Sequence, residues 1–211
     1  MISRTAHFSS CRRWRYQLRI VWDTSLPLLA VCGLNPSTAD ETQDDPTLRR
    51  VQGFARSMGR GGVLMLNAFA WRSTDPRGLL SAPDPVGAAN TVDNLVQWIR
   101  SAGPYPAVAA WGSNLYRRPL RFRGDDLRKL RWDCFRTTKA GHPEHPLYLP
   151  STLRPAPWNY AAGPTVEHTR REQLRCAAEI IAGDDRPGGA TLGLHDWFAE
   201  DFLMNFEDLW H

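Results

Sequence analysis

The chain has 211 residues, 42% of them hydrophobic and 23% charged, with a formal net charge of +4, as expected of one soluble α/β domain large enough to enclose a core. No apolar run approaches membrane-spanning length, and the arginine-bearing amino terminus has no apolar leader, so neither a membrane span nor a secretory signal is expected. The four cysteines, Cys11, Cys32, Cys134 and Cys176, are scattered without a Cys-x-x-Cys; this argues against a disulfide framework or a cysteine zinc site and fits a reducing cytoplasm.

In chain order, residues 1–20 hold five arginines and no acid. Tyr16–Trp22 alternates and is β-branched enough to predict a strand at a sheet edge. Leu28–Cys32 is a continuous apolar run ended by Gly33, the pattern of a buried parallel strand. A polar stretch holding Asp40, Glu41, Asp44 and Asp45 follows, then a helix around Thr47–Met58. Val63–Leu66 reads as a second buried strand. Pro76 and Pro83–Pro85 mark a loop, and Val86–Arg100 reads as a helix with Leu95, Val96 and Ile99 on one side. Ala107–Trp111 is a third apolar run, stopped at Gly112.

Residues 117–139 hold nine Lys/Arg against three Asp. The run predicts a basic helix over Arg117–Leu130, either a phosphate-following surface or a solvated face with interleaved charges. A fourth strand is predicted at Trp132–Thr137, an irregular proline-rich stretch over Pro150–Pro164, and a helix over Thr165–Ile181. Near the carboxyl end, Phe198, Phe202, Phe206 and Trp210 form an amphipathic stripe that packs back on the domain or on a twin subunit. Strands alternating with helices predict a three-layer α/β sandwich around a central, mainly parallel four-stranded sheet. The expected division is an α/β domain at residues 1–164 and a helical extension at 165–211 packed on it.

In such sheets ligands collect beyond the carboxyl ends of the strands, where every distinctive motif of this chain falls. Asn35 leaves the first buried strand and precedes Pro36, which holds it extended at the strand tip; taken alone this is also an ordinary turn. Asn67 ends the second, and a carboxamide can meet both the O and the N–H of a pyrimidine edge; it can equally be a turn-stabilising residue. Trp111-Gly112-Ser113-Asn114 ends the third, as support for a pocket or as a helix start. His142-Pro143-Glu144-His145-Pro146 stiffens two histidines between prolines, in a loop with no helix and no nearby third ligand, so no metal site is expected. The acidic cluster after Asn35 reads as a solvated loop that caps the next helix, with a carboxylate in the cleft as the rival. No nucleophile elbow, P-loop, His-Glu-x-x-His or dinucleotide fingerprint is present.

The long signatures Leu34–Asp40 (L-N-P-S-T-A-D) and Gly141–Pro150 (G-H-P-E-H-P-L-Y-L-P) resemble those of a bacterial and phage family of unknown function, DUF1643-like, over residues 12–158. That family is in turn similar to the uracil-DNA glycosylase superfamily. Gly33–Pro36 is similar to that superfamily's first motif in its G-x-N-P form. Leu64–Phe69 with Arg72 is similar to the strand whose asparagine recognises uracil, Ala110–Ser113 to an L-W-G segment, and His142–Leu147 to an H-P-S-P-L loop with one residue added.

The resemblance implies a uracil-DNA glycosylase-like fold and a DNA base-excision N-glycosylase acting on a uracil-like or modified base. Asn35 would orient the attacking water, and Asn67 would read the base. His142 or His145 would donate a hydrogen bond to the departing base. Gly33, Leu34, Pro36, Ser37, Phe69 and Trp111 would line the substrate site. Arg72, Leu147 and Tyr148 would contact DNA, the last two as a wedge for a flipped base. Phe54, Phe69 and Trp71 are the candidates for stacking on the base. Asn35 stands where the most active branch has a carboxylate, and an amide cannot take a proton, so water activation would be weak. The implied partner is DNA or a nucleotide, with no cofactor, metal or membrane. The alternatives are a module that binds a modified base or DNA without cutting, and an N-glycosidase for free nucleotides.

Overall fold

The computed structural model describes residues 2–37, 42–116 and 120–159. The described residues all belong to the first of the chain's two units, Met1–Arg170. The helix expected over Thr165–Ile181, the aromatic stripe, Cys176, Asp40 and Glu41 lie outside the described residues, as does the extension at 165–211.

The first unit is a mixed α/β fold on one seven-stranded sheet, rather than the four strands expected. The strands are β1 (Ser3–Phe8), β2 (Arg15–Val21), β3 (Leu28–Gly33), β4 (Gly62–Asn67), β5 (Ala107–Ala109), β6 (Trp132–Cys134) and β7 (Ala156–Trp158), in the order β1-β2-β4-β3-β5-β6-β7. The middle four, β4-β3-β5-β6, run parallel. Three of them, β3, β4 and β5, are the apolar runs, whose unbroken hydrophobicity reflects burial on both sheet faces, while β6 carries Asp133 between two buried residues. The other three are antiparallel additions at the two edges.

The additions explain the differences from the sequence pattern. β2 is an interior strand rather than an edge, because β1 pairs along it from Ser3↔Val21 to Phe8↔Arg15. β1 has no fully buried residue, so it pairs through its backbone and carries no apolar run to announce it. β7 interrupts the irregular proline-rich stretch. Pro157 fits there because an edge strand has N–H positions that need no ladder partner.

Helices cover both faces. α1 (Pro46–Ser57) starts with Asp45 accepting from Leu48 N at 2.7 Å and proline in the first turn. It buries Leu48, Val51, Phe54 and Ala55 against Leu29, Val31, Val63, Met65 and Val108. On the opposite face Leu95 of α2 (Val92–Ala102) and Leu127 of α3 (Arg121–Leu127) pack with Leu28, Ala30, Leu64 and Leu66. The alternation of strand residues between the two cores is the period of two expected of a pleated sheet.

α2 begins six residues later than its apolar pattern, capped by Thr91, whose side chain accepts from Asn94 N at 3.1 Å. The delay has a local cause at Gly87, whose φ of 81° is left-handed. A Cβ there would lie 2.5 Å from Trp14 Cδ1, so the backbone passes under the tryptophan ring before the helix can start. α3 is shorter than the expected Arg117–Leu130. Arg123 on it is 2% exposed, so the basic run is not a uniformly solvated face.

Candidate active-site cleft

The carboxyl ends of β3 and β4 meet at Gly33↔Asn67, the last registered pair of the two strands. Beyond it the chains stay side by side. Ala68 N donates to Gly33 O, Phe69 N to Leu34 O and Ser73 N to Pro36 O, each at 2.9 Å. β5 joins through Ala110 N to Cys32 O at 2.8 Å. The first wall is therefore an extension of the sheet, which is why a loop can be held in one conformation.

Asn35 uses its amide nitrogen within this wall, donating to Ser73 O at 2.8 Å and to Pro36 O at 3.3 Å. Both N–H groups are committed, which orients the amide and leaves its oxygen as the acceptor. Ser37 Oγ donates to Asp45 Oδ2, so the same aspartate that caps α1 anchors the end of the wall. Asp45 of the acidic cluster thus caps the next helix, and Asp44 pairs with Arg4 and accepts from Gln52 Nε2 at 2.7 Å.

Asn67 is 2% exposed, and its Nδ2 is buried with no hydrogen-bond partner. A buried donor left unmade costs about 1–3 kcal/mol, and native proteins keep few of them. An alternating strand sends Asn67 to the same face as Val63 and Met65, the α1 face. Gly33 shares that face, since a Cβ on it would lie 3.2 Å from Asn67 Oδ1. Glycine at residue 33 keeps the space over the amide clear.

Behind Asn67 lies a buried polar support. Asn90 Nδ2 donates to Asn67 O at 3.2 Å and Ala68 O at 3.0 Å. Arg123 donates from Nε to Ala68 O at 2.8 Å and from Nη2 to Asn90 O at 2.6 Å. Burial lowers the Arg123 pKa, opposed by the nearby Cys32 and by Asp126 3.7 Å away. Sequence reasoning missed both Asn90 and Arg123. Arg123 was hidden in a basic run that reads as surface, and Asn90 lies in a loop without a motif.

The second wall rises after β6. Thr137 bridges Pro143, Thr138 N donates to His142 O at 2.8 Å, and Glu144 N donates to Arg136 O at 2.9 Å, closing residues 136–144 into a short hairpin. The exposed Arg136–Glu144 pair at 2.7 Å adds little energy. Leu149 anchors the far end in the core on the α1 face, and its carbonyl accepts from Arg50 Nη2 of α1. Both walls therefore stand on one face of the sheet, beside α1.

The two histidines differ. His142 is 1% exposed, whereas His145 is at the surface. His145 Nδ1 accepts from Leu147 N at 3.4 Å, which puts the proton of the neutral ring on Nε2. Protein packed around the ring withdraws solvent and lowers its pKa from 6.5, while the charge of Asp45 acts in the opposite direction. Asp45 thus links Ser37 of the first wall electrostatically to His145 of the second.

The remaining candidates separate by burial. Leu34 and Pro36 are buried and Leu147 half-buried, while Tyr148 is 87% exposed beside His145. Phe69 is fully enclosed in the core, and Phe54 stacks on Phe135 at 4.2 Å. Trp111 is buried edge-on to Trp132 at 4.9 Å and to Trp158 at 5.7 Å. Since Trp158 Nε1 donates to Gly141 O at 3.0 Å, Trp111 backs the second wall through Trp158. Trp71 is half-buried against Trp14, and Arg72 Nη1 donates to Arg12 O at 3.3 Å. Neither Trp71 nor Arg72 was expected to lean on the β1–β2 hairpin.

Among the described residues, no group of three His, Cys, Asp or Glu side chains gathers to hold a metal ion. Likewise no helix among them is long and apolar enough to cross a membrane. A groove of about 510 Å³ lies at the opposite end of the sheet, between Leu28, Arg19 and the end of α2 at Arg100–Gly103, away from both walls.

Fold and geometry together define an α/β protein that gathers Asn35, Asn67 and the His142–His145 loop at the carboxyl edge of its parallel strands. The chain belongs to the DUF1643 family, described as proteins of unknown function, whose profile matches residues 15–147 and so takes in the first wall and the second as far as Leu147. No curated protein and no solved structure matches it.

Proposed function

We infer that the cleft recognises a nucleobase through Asn67 and that the protein is a DNA base-excising N-glycosylase of a specialised kind. The observation that carries this reading is the buried Nδ2 of Asn67, without a partner, beneath the space that Gly33 keeps open. Such a donor, with its own carbonyl oxygen alongside, matches a base edge that offers one acceptor and one N–H. The order of the motifs, similar to that of the uracil-DNA glycosylase superfamily, supports the same reading.

In this mechanism the C1′–N bond breaks and its electron pair leaves on the base. Water held at the Asn35 carbonyl oxygen forms the new C1′–O bond and releases a proton to solvent. His145 is the histidine that suits the leaving base, being at the surface with an Nε2–H to donate as negative charge develops. Fixed donors aimed at developing charge are the main contribution a protein can make to such a step. Asn35 cannot take the water's proton, so turnover is expected to be slow.

The test is to incubate the protein with oligonucleotides carrying uracil, mismatched or hypermodified bases and then treat with alkali. Strand breaks at the modified base are expected, and their loss in Asn67→Ala. No break on any substrate, with folding intact, overturns the enzyme reading. A non-cutting module that binds the modified base is the second reading, favoured by the amide at Asn35. It is distinguished by binding that Asn67→Ala abolishes without any cleavage in the parent.

A further inference from the structure

The turn between β1 and β2 carries Arg12 and Arg13, both exposed. Arg12 has a φ of 57° and is the one non-glycine residue with positive φ among the described residues. A side chain in that conformation costs about 1 kcal/mol, which glycine avoids, so the turn holds its arginine at a backbone cost. Its guanidinium lies 4.0 Å from the centroid of the Phe8 ring, and that of Arg72 lies 5.1 Å from the same centroid. The ring and the Arg12 carbonyl hold together two like charges that repel one another. Alongside, Trp14 and Trp71 pack edge-to-face at 5.1 Å, both half-buried.

Two acids that follow in the chain are engaged locally. Asp75 pairs with Arg77 at 2.9 Å, and the Asp84 carboxylate accepts from Val86 N and Gly87 N at 3.0 Å. The strip is continuous with the first wall. Arg72 N donates to Arg13 O at 3.0 Å, and the next residue, Ser73, supplies the carbonyl that holds Asn35. Clustered guanidinium groups interleaved with aromatic rings suit a polyanion whose subunits also offer flat faces.

We propose that Phe8, Arg12, Arg13, Trp14, Trp71 and Arg72 receive the sugar–phosphate backbone of the nucleic-acid strand that delivers the base to Asn67. The proposal rests on the base-recognition reading above and adds the path of the strand. Its direction follows from the connection at Ser73: a strand lying on the strip reaches the cleft past Asn35.

The experiment is fluorescence anisotropy of labelled single-stranded and duplex oligonucleotides with the full chain over a series of salt concentrations. The parent is compared with Arg12→Gln/Arg13→Gln, with the same pair plus Arg72→Gln, and with Asn67→Ala. The triple variant is expected to lose at least about tenfold in affinity. Its slope of log affinity against log salt should flatten by about 2, since each lost phosphate contact removes roughly 0.7 on a single strand. The double variant, confined to exposed residues, should flatten the slope by about 1.4 and keeps the test valid if Arg72→Gln perturbs folding. Asn67→Ala should keep the slope and lose the preference for the modified base. An unchanged slope in the double variant overturns the proposal, as does a parent that binds free bases but no oligonucleotide, or binds polyglutamate equally well. If instead Asn67→Ala retains the base preference, the base reading fails while the strip stands.

Discussion

Gly33 and Asn67 face each other across two parallel strands, and a Cβ on the glycine would lie 3.2 Å from the asparagine's Oδ1. That distance is tighter than an ordinary contact, so an alanine methyl would push the amide by a few tenths of an ångström. Gly33→Ala should therefore impair ligand binding more than folding. We expect base-dependent binding to fall about tenfold, the equivalent of one hydrogen bond, with a change in thermal midpoint of only a few degrees, roughly 1 kcal/mol. Calorimetric titration and a thermal melt on the same sample check this. Unimpaired binding in the folded variant would remove Gly33 from the site.

Arg123 should be the costliest arginine to replace. It is buried and supplies donors to Ala68 O and Asn90 O beneath the Asn67 strand end. Arg123→Met leaves those carbonyls short of donors and is expected to destabilise by about 2–4 kcal/mol in urea denaturation. Arg128→Met removes an exposed pair with Asp125 at 3.3 Å and should cost under about 0.5 kcal/mol. Equal losses in the two variants would contradict the buried-support role.

The thiols should react in a fixed order. The hydrogen bond from Ser9 is the largest influence lowering the Cys11 pKa, helped by Arg13, whereas burial pushes Cys32 up to about 12 and Cys134 up to about 11. At neutral pH, iodoacetamide should label Cys11 in the folded protein and reach Cys32 and Cys134 only after denaturant is added. Peptide mapping before and after unfolding reads the outcome. Labelling of Cys32 at the rate of Cys11 in the folded chain would contradict its burial.

His145 should make stability fall on acidification. Its folded pKa is below 6.5 because the surrounding protein disfavours the charged ring, so between the two values the unfolded chain binds more protons. The contribution is fully present above pH 6.5 and is lost as the pH falls towards the folded value. Comparing urea midpoints at neutral and mildly acidic pH, the parent should lose more than His145→Gln. An equal loss in both would assign the acid sensitivity elsewhere.

Much of this arrangement could be read before folding was considered. Three of the four parallel strands, β3, β4 and β5, were legible because burial on both faces leaves an unbroken apolar run, as in Leu28–Cys32 and Val63–Leu66. α1 was legible as a helix around Thr47–Met58 preceded by an acidic cluster that could cap it, and Asp45 does. β1 and β7 were not, because their pairing rests on backbone groups that every sequence carries. The burial of Arg123 was equally invisible, since composition records a charge and not the carbonyls that receive it.

The sequence by itself therefore determined the positions of the two walls, since Asn35, Asn67 and the His142–His145 loop follow apolar runs that have to become strands. Only the tertiary structure decided how those residues differ. It left Asn67 Nδ2 without a partner, committed Asn35 Nδ2 to Ser73 O, enclosed His142 and left His145 at the surface. The reason is physical: apolar periodicity reports how a segment meets the core. Whether a donor is satisfied depends on groups brought from distant parts of the chain.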